Sequence, residues 1–446
     1  MDAGRKSRKA PHDAALLAAA CGIVGSEGLA GLTLRPLAEA LGVSVTVLTS
    51  HYGARADVIA AVCNAACEQD KQLMAEWRGT LAALGTLSPA IAAELAETML
   101  EELATHHRGL SILYLELLHA CTWDAALQPV FAAWQAERRG FWQAFGERAG
   151  MAPGLLSGGW WHGYILAELA YGLVLGPVTA YRSLRRLCLR RLFAGGLATR
   201  ADAGDAELFA LLLARMQAAD GELAGANGAG TSTSAGTSAS IAGTNGMVAG
   251  AIGSIGTASA NGAGSAGREP AWAAQAGRVC GRWLAARGVH GLTHRAVAAE
   301  IGIAHTTLSY RYPAQRDLVI AGLESIVAHI RFAVDADSLT ELQRLRVEGD
   351  GKQLDLARAN FAVAIAAARM PELTAYTADM RSRRGNNLVK VFMKYLPQAR
   401  GIDALCAQVI SMGLTGLTNT EPPGEASDQT VAAAFGAAAK WLQQNQ

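Results

Sequence analysis

Apolar positions recur along this chain at spacings of three and four, and no segment alternates apolar and polar residues over the length of a strand. The pattern predicts an all-α protein. After a short first helix, two brief helical stretches are expected at 34–41 and 45–52. Longer ones follow at 54–78, 91–107, 111–121, 128–149, 159–175 and 205–216. A second series is expected at 314–332, 355–368, 371–395, 403–417 and 428–444. Between the two series, residues 221–267 are almost entirely Gly, Ala, Ser, Thr and Asn, with no charge after Glu222. Such a composition cannot bury enough surface to order itself. A coil of that length spans about 35–40 Å end to end.

The two series begin with the same motif. Gly28–Val62 aligns without a gap on Gly288–Gly322, and Leu32, Thr33, Arg35, Ala38, Gly42, Thr46, Leu48, Tyr52 and Asp57 recur as Leu292, Thr293, Arg295, Ala298, Gly302, Thr306, Leu308, Tyr312 and Asp317. Roughly a third of the window is identical, which marks duplication of a whole module. Each copy reads as two short helices around a tight turn. Thr33 stands at an N-cap position, Pro36 falls in the first turn where its missing N–H costs little, and Gly42 permits the positive φ of the helix stop. Ser44 is placed to cap the second helix, with Val47 and Leu48 turned inward. A helix pair joined by a three- or four-residue turn containing Gly is a helix-turn-helix, whose second helix enters the DNA major groove.

On these residues the motif resembles the DNA-binding domain of TetR-family transcriptional regulators. The first copy carries the family pattern at Gly28, Leu32, Thr33, Arg35, Leu37, Ala38, Leu41, Gly42, Val43, Ser44, Leu48 and His51, with Tyr52 in place of Phe. The second carries it at Gly288, Leu292, Thr293, Arg295, Ala298, Gly302 and Leu308, with Tyr312 in place of Phe. It departs where the family has Tyr, at Thr49 and Ser309, and where it has a Lys after the turn, at Arg55 and Gln315, the latter followed by Arg316. Ala304 replaces Ser44, so the second recognition helix lacks that cap.

The resemblance implies two tandem modules, each an N-terminal DNA-binding domain followed by a helical ligand-binding and dimerisation bundle. The expected division is a basic arm at 1–10, a first DNA-binding domain at 11–62 and its bundle at 63–220. The linker at 221–267, a second DNA-binding domain at 268–322 and a second bundle at 323–446 complete it. In the family, two chains pair through the last two helices of each bundle. Here the linker raises the effective concentration of the internal partner to roughly millimolar. The expectation is therefore a monomer acting as an intramolecular pseudo-dimer, with 159–175 and 205–216 packed against 403–417 and 428–444.

The partner implied is double-stranded operator DNA. Its expected contacts in the first module are Thr33, Arg35, Ser44, Val45, Thr46, Thr49, His51, Tyr52 and Arg55. In the second they are Thr293, Arg295, His305, Thr306, Ser309, Tyr310, Tyr312 and Arg316. Because the two recognition helices differ, the half-sites should differ too, lying about one helical turn apart. Net charge is only +1, so affinity must come from local charge, and Arg5, Lys6, Arg8 and Lys9 supply an arm able to reach phosphates or a minor groove.

Aromatic residues concentrate in the first bundle. Trp123, Trp134, Trp142, Trp161 and Tyr164, with His162, are candidates to line a pocket for a hydrophobic effector, and Glu116, His106, His107 and His119 are further polar groups for it. The same residues would serve as core packing. Adjacent His106 and His107 lack the helical spacing of metal ligands, and the seven cysteines have no framework spacing, so buried thiols in a reducing, cytoplasmic setting and no metal are expected. The apolar stretch 160–181 contains His162, Glu168 and Pro177 and reads as a buried helix rather than a membrane span. No phosphate loop, nucleophile–base spacing or metal cluster points to an enzyme or a cofactor. The expected function is a ligand-released repressor. The alternative is a small-molecule sequestering protein descended from such a fusion, with weak or lost DNA binding.

Overall fold

The computed structural model describes residues 12–195, 202–226, 270–289, 292–334, 354–395, 402–422 and 424–444. Among them every regular element is a helix and none is a strand. The first half comprises α1 (Asp13–Glu27), α2 (Leu34–Ala40), α3 (Val45–Tyr52), α4 (Arg55–Ala83), α5 (Pro89–Thr105), α6 (Arg108–Ala120), α7 (Gln128–Arg148), α8 (Pro153–Leu156), α9 (Trp160–Leu175), α10 (Thr179–Phe193) and α11 (Ala203–Ala226). The second comprises α12 (Ala271–Arg287), α13 (His294–Ile301), α14 (His305–Arg311), α15 (Gln315–Val334), α16 (Leu356–Ala367), α17 (Thr374–Ser382), α18 (Asn386–Tyr395), α19 (Ala404–Thr418) and α20 (Glu425–Gln444).

Local chemistry sets many of these boundaries. Ser44, Ser88, Thr293, Asp355 and Asp403 each accept a hydrogen bond from a backbone N–H in the first turn of the helix they precede. Asp57 and Asp317 reach back to the N–H groups of Ala54 and Ala314, both at 2.8 Å, so the start of α4 and of α15 is locked in the same way. Gly42 and Gly302 take φ of 64° and 72° at the turns after α2 and α13.

The duplication extends into packing. In the first half α1 lies on α4 and α6; in the second α12 lies on α15 and α16. The buried positions correspond: Leu37, Ala38, Leu48, Val58 and Ile59 match Val297, Ala298, Leu308, Leu318 and Val319.

The halves meet chiefly where α9 crosses α19. Every residue of α9 is buried. Its backbone touches that of its partner because both helices carry glycine there. A Cβ at Gly416 would collide with the Gly163 carbonyl, and one at Gly413 with the Trp160 indole. That central pairing is the expected one, but the flanking pairs are different. α11 packs on α17, and α20 on α8 and the turn after it. The outer helices of each half grip the middle of the other instead of each other.

Three other expectations change. α10 lies in a stretch where no helix is expected, and it carries Arg182, Arg185, Arg186, Arg190 and Arg191. Yet Tyr181, Leu184, Cys188 and Leu192 recur at helical spacing and are buried. The single helix expected over 371–395 is broken. Gly385 has φ of 80°, and a Cβ there would strike the Ala407 backbone, so α17 and α18 are separated by a tight passage under α19. α11 runs on to Ala226, past the expected start of the linker, whose residues 227–267 lie outside the described residues.

No helix among the described residues is long and apolar enough to cross a membrane. The same residues contain no group of three or more His, Cys, Asp or Glu able to hold a metal ion.

Candidate nucleic-acid interface and cavity

α3 and α14 each bury one residue, Leu48 and Leu308, and turn most of their other side chains outward. On α3, Val45 is 40% exposed and Thr46 and His51 are also exposed. On α14, His305, Thr306 and Arg311 are exposed, and Tyr310 is 91% exposed. A large aromatic ring standing in solvent on a short helix is unusual, because burying it would release apolar surface from water.

The remaining expected contacts divide into presented and tethered groups. Thr33, Arg35, Thr293 and Arg295 are exposed at the starts of α2 and α13. Ser44 Oγ accepts from Val47 N–H at 3.2 Å, whereas Ala304 makes no side-chain cap. Thr49 is half-buried and its hydroxyl donates to the Val45 carbonyl at 3.0 Å. Half-buried Ser309 lies 3.4 Å from His305 Nε2. The Tyr52 hydroxyl donates to Asp13 at 3.4 Å, its ring edge-to-face with His51, and burial followed by the Asp13 charge raises its pKa. Tyr312 is half-buried, and its carbonyl lies 2.5 Å from His294 Nε2. Arg5, Lys6, Arg8 and Lys9 lie outside the described residues.

Arg55 and Gln315 hold equivalent places. Arg55 Nε donates to the Leu32 carbonyl at 3.3 Å, and Gln315 Nε2 to the Leu292 carbonyl at 2.8 Å. Arg316, expected at a phosphate, forms an ion pair with Glu372. The second surface therefore differs from the first in charge as well as in sequence.

Of the six aromatic and histidine residues expected to line an effector pocket, five are close-packed core. Trp134 Nε1 donates to Asp70 at 2.7 Å, and the same carboxylate takes two bonds from Arg138, whose guanidinium lies 4.1 Å from the Tyr114 ring centre. Trp142 and Trp161 meet edge-to-face, with Trp161 Nε1 bonded to the Trp142 carbonyl at 2.8 Å. Tyr164 is stacked with Trp161 at 5.8 Å, and His162 is buried with neither ring nitrogen hydrogen-bonded. Period-matched aromatics on helices that all face one centre fill it, and that outweighs the pocket reading for them.

The sixth, Trp123, borders a cavity of about 80 Å³ between the two halves. Glu116 and His119 of the first half and Arg369 of the second border it too. Arg369 forms an ion pair with Glu116, whose other oxygen accepts from Leu29 N–H at 3.3 Å. Arg369 was not a sequence candidate, because nothing in the local pattern shows which residues the two halves bring together. No family model matches this chain, and no curated protein is similar to it.

Proposed function

We propose that this chain is a sequence-specific regulator of transcription that binds double-stranded DNA through α3 and α14, organised as a TetR-type dimer within one polypeptide. The reading rests above all on one observation. The same two-helix unit occurs twice, with matching buried positions, and each copy presents its second helix to solvent with polar and aromatic groups outward. A core element would bury those faces; a reader of base edges must leave them free. The unlike side chains on the two helices favour an operator with unlike half-sites, about one helical turn apart. The regulator acts as a repressor released by a small-molecule effector. By linkage, the effector binds the DNA-free arrangement more tightly.

Footprinting on the DNA flanking the chain's own gene, at two salt concentrations, tests this. The expected result is a protected site with unlike halves whose affinity falls steeply as salt rises, because phosphate contacts release counterions. The tethering of Gln315 and Arg316 favours a second reading, a small-molecule sequestering protein. Absence of protection by the folded chain would replace the first reading by the second.

A further inference from the structure

We propose that the outward face of α11 is a docking surface for a second copy of this chain, which binds through its own α11 in an antiparallel, two-fold pairing centred on Leu211. The surface is separate from the crossing of α9 with α19 and from the exposed helices α3 and α14, so the proposal stands independently of the DNA-binding reading.

α11 is apolar on both sides. Phe209, Leu212 and Met216 are buried, and the helix packs on α10 and α17. Gln217 Nε2 donates to Ser382 Oγ of α17 at 3.3 Å. The opposite side carries Leu208 and Leu211, one turn apart and 36% and 52% exposed. A helix that lays one apolar stripe on the core ordinarily turns polar residues to water on the other side. Here the outward stripe repeats the inward one. At 3.6 residues per turn, Gly204, Glu207, Leu208, Ala214 and Arg215 lie within about 60° of Leu211 around the helix axis, and all are exposed. The last helix of the second half, α20, exposes no large apolar side chain among its described residues, so the surface occurs on the first half alone.

The charges on this face select its occupant. Glu207 stands four residues before Leu211, and Arg215 four after it. The residues three and four positions from each along α11 are Ala, Gly or Leu, so the helix itself offers neither an opposite charge. Neither has a hydrogen bond or ion pair among the described residues, whereas Asp205 is engaged by Arg190 of α10 at 3.5 Å. A two-fold axis through Leu211 lays a second α11 antiparallel to the first. It brings Glu207 opposite Arg215 of the second copy, Leu208 opposite Ala214, and Leu211 opposite itself. Both charges are then met at both ends, and the leucines between them are covered. A surface complementary to itself in this way makes an isologous contact, which closes at two chains. About three turns of one helix pair bury less than the roughly 1,200 Å² of a stable interface, so the association is reversible and depends on concentration.

The test is sedimentation velocity of the full chain, with no DNA present, over a dilution series from about 100 µM to about 1 µM, where small interfaces associate. The wild type should pass from dimer to monomer on dilution. Leu211→Glu sets two carboxylates against each other at the axis and should leave a monomer throughout, with helix content by circular dichroism confirming that it folds. Glu207→Arg and Arg215→Glu each place like charges together at both ends of the pair, and each should weaken the dimer about tenfold. An equimolar mixture of these two variants restores opposite charges at both ends and should associate as the wild type does. A wild type that stays monomeric at every concentration overturns the proposal. So does a dimer that survives Leu211→Glu, because its contact lies elsewhere. A mixture that associates no more tightly than its two components overturns the antiparallel register.

Discussion

Glu168 of α9 and Arg381 of α17 form an ion pair across the two halves, 2.7 Å between Oε1 and Nη2, with both side chains wholly excluded from solvent. Tyr181 donates to the other Glu168 oxygen at 2.9 Å. Arg191 with Asp403 at 3.0 Å, and Arg108 with the Ala368 carbonyl at 2.7 Å, tie the halves at two further places. Burying two charges is costly, and attraction offsets that only when both are present. A half paired with a copy of itself would bring Glu168 no Arg381. The pair therefore discriminates for the joining of unlike halves more than it adds stability. Arg381→Met or Glu168→Leu alone should each destabilise the chain by about 3–5 kcal/mol, while the two together should recover most of that loss. Urea denaturation of the four proteins measures the coupling; additive losses would count against it.

His119 and His162 make stability depend on pH. Burial comes first, then Arg358 for one and Arg139 and Arg138 for the other, and together they lower each pKa from 6.5 to about 3. Between these values the unfolded chain binds protons that the folded chain does not. Stability should be full above pH 6.5 and fall on acidification, by about 1.4 kcal/mol per pH unit for each histidine. Denaturation midpoints at pH 7.5, 6 and 5 measure the slope. Replacing either histidine by Phe removes its contribution and should about halve the slope.

Tyr310 and Thr46 offer a separation of stability from recognition. Both are exposed, so Tyr310→Ala and Thr46→Ala should change unfolding free energy by less than about 0.5 kcal/mol. Each should weaken operator binding by about 1–3 kcal/mol, at its own half-site only. Anisotropy titrations with duplexes mutated in one half or the other distinguish the two contributions. Loss at both half-sites from one substitution would argue against unlike readers.

Ser44 and Ala304 occupy the same place before α3 and α14, and only the serine caps its helix. Ala304→Ser should stabilise the chain, and Ser44→Ala destabilise it, by about 1 kcal/mol each. Thermal denaturation of the two variants checks the signs; a neutral Ala304→Ser would mean that the α14 N-terminus is satisfied by other means.

The sequence by itself determined what is local. The period of Leu37, Ala38, Leu48 and their counterparts dictated helices. Gly42, Ser44 and Asp57 dictated where α2, α3 and α4 stop and start, because positive φ, side-chain capping and backbone donors act within a few residues. The repetition of those signals disclosed the duplication, while the meeting of α9 with α19 was expected only from the resemblance, and the glycines that let their backbones touch showed themselves in the structure. Only the tertiary structure decided what depends on distance through space. It sent Trp134, Trp142, Trp161, His162 and Tyr164 into a filled core rather than a pocket. It gave α10 a buried face despite its arginines, since Arg185 finds Glu97 at 2.7 Å from a different helix. It set Arg369 beside Glu116 and His119, opened the cavity between them, and crossed the outer helices of the two halves. Helical periodicity marks which face of a segment is apolar, but several partners satisfy any one apolar face. The choice among them falls to shape, close backbone approach and the pairing of buried charge.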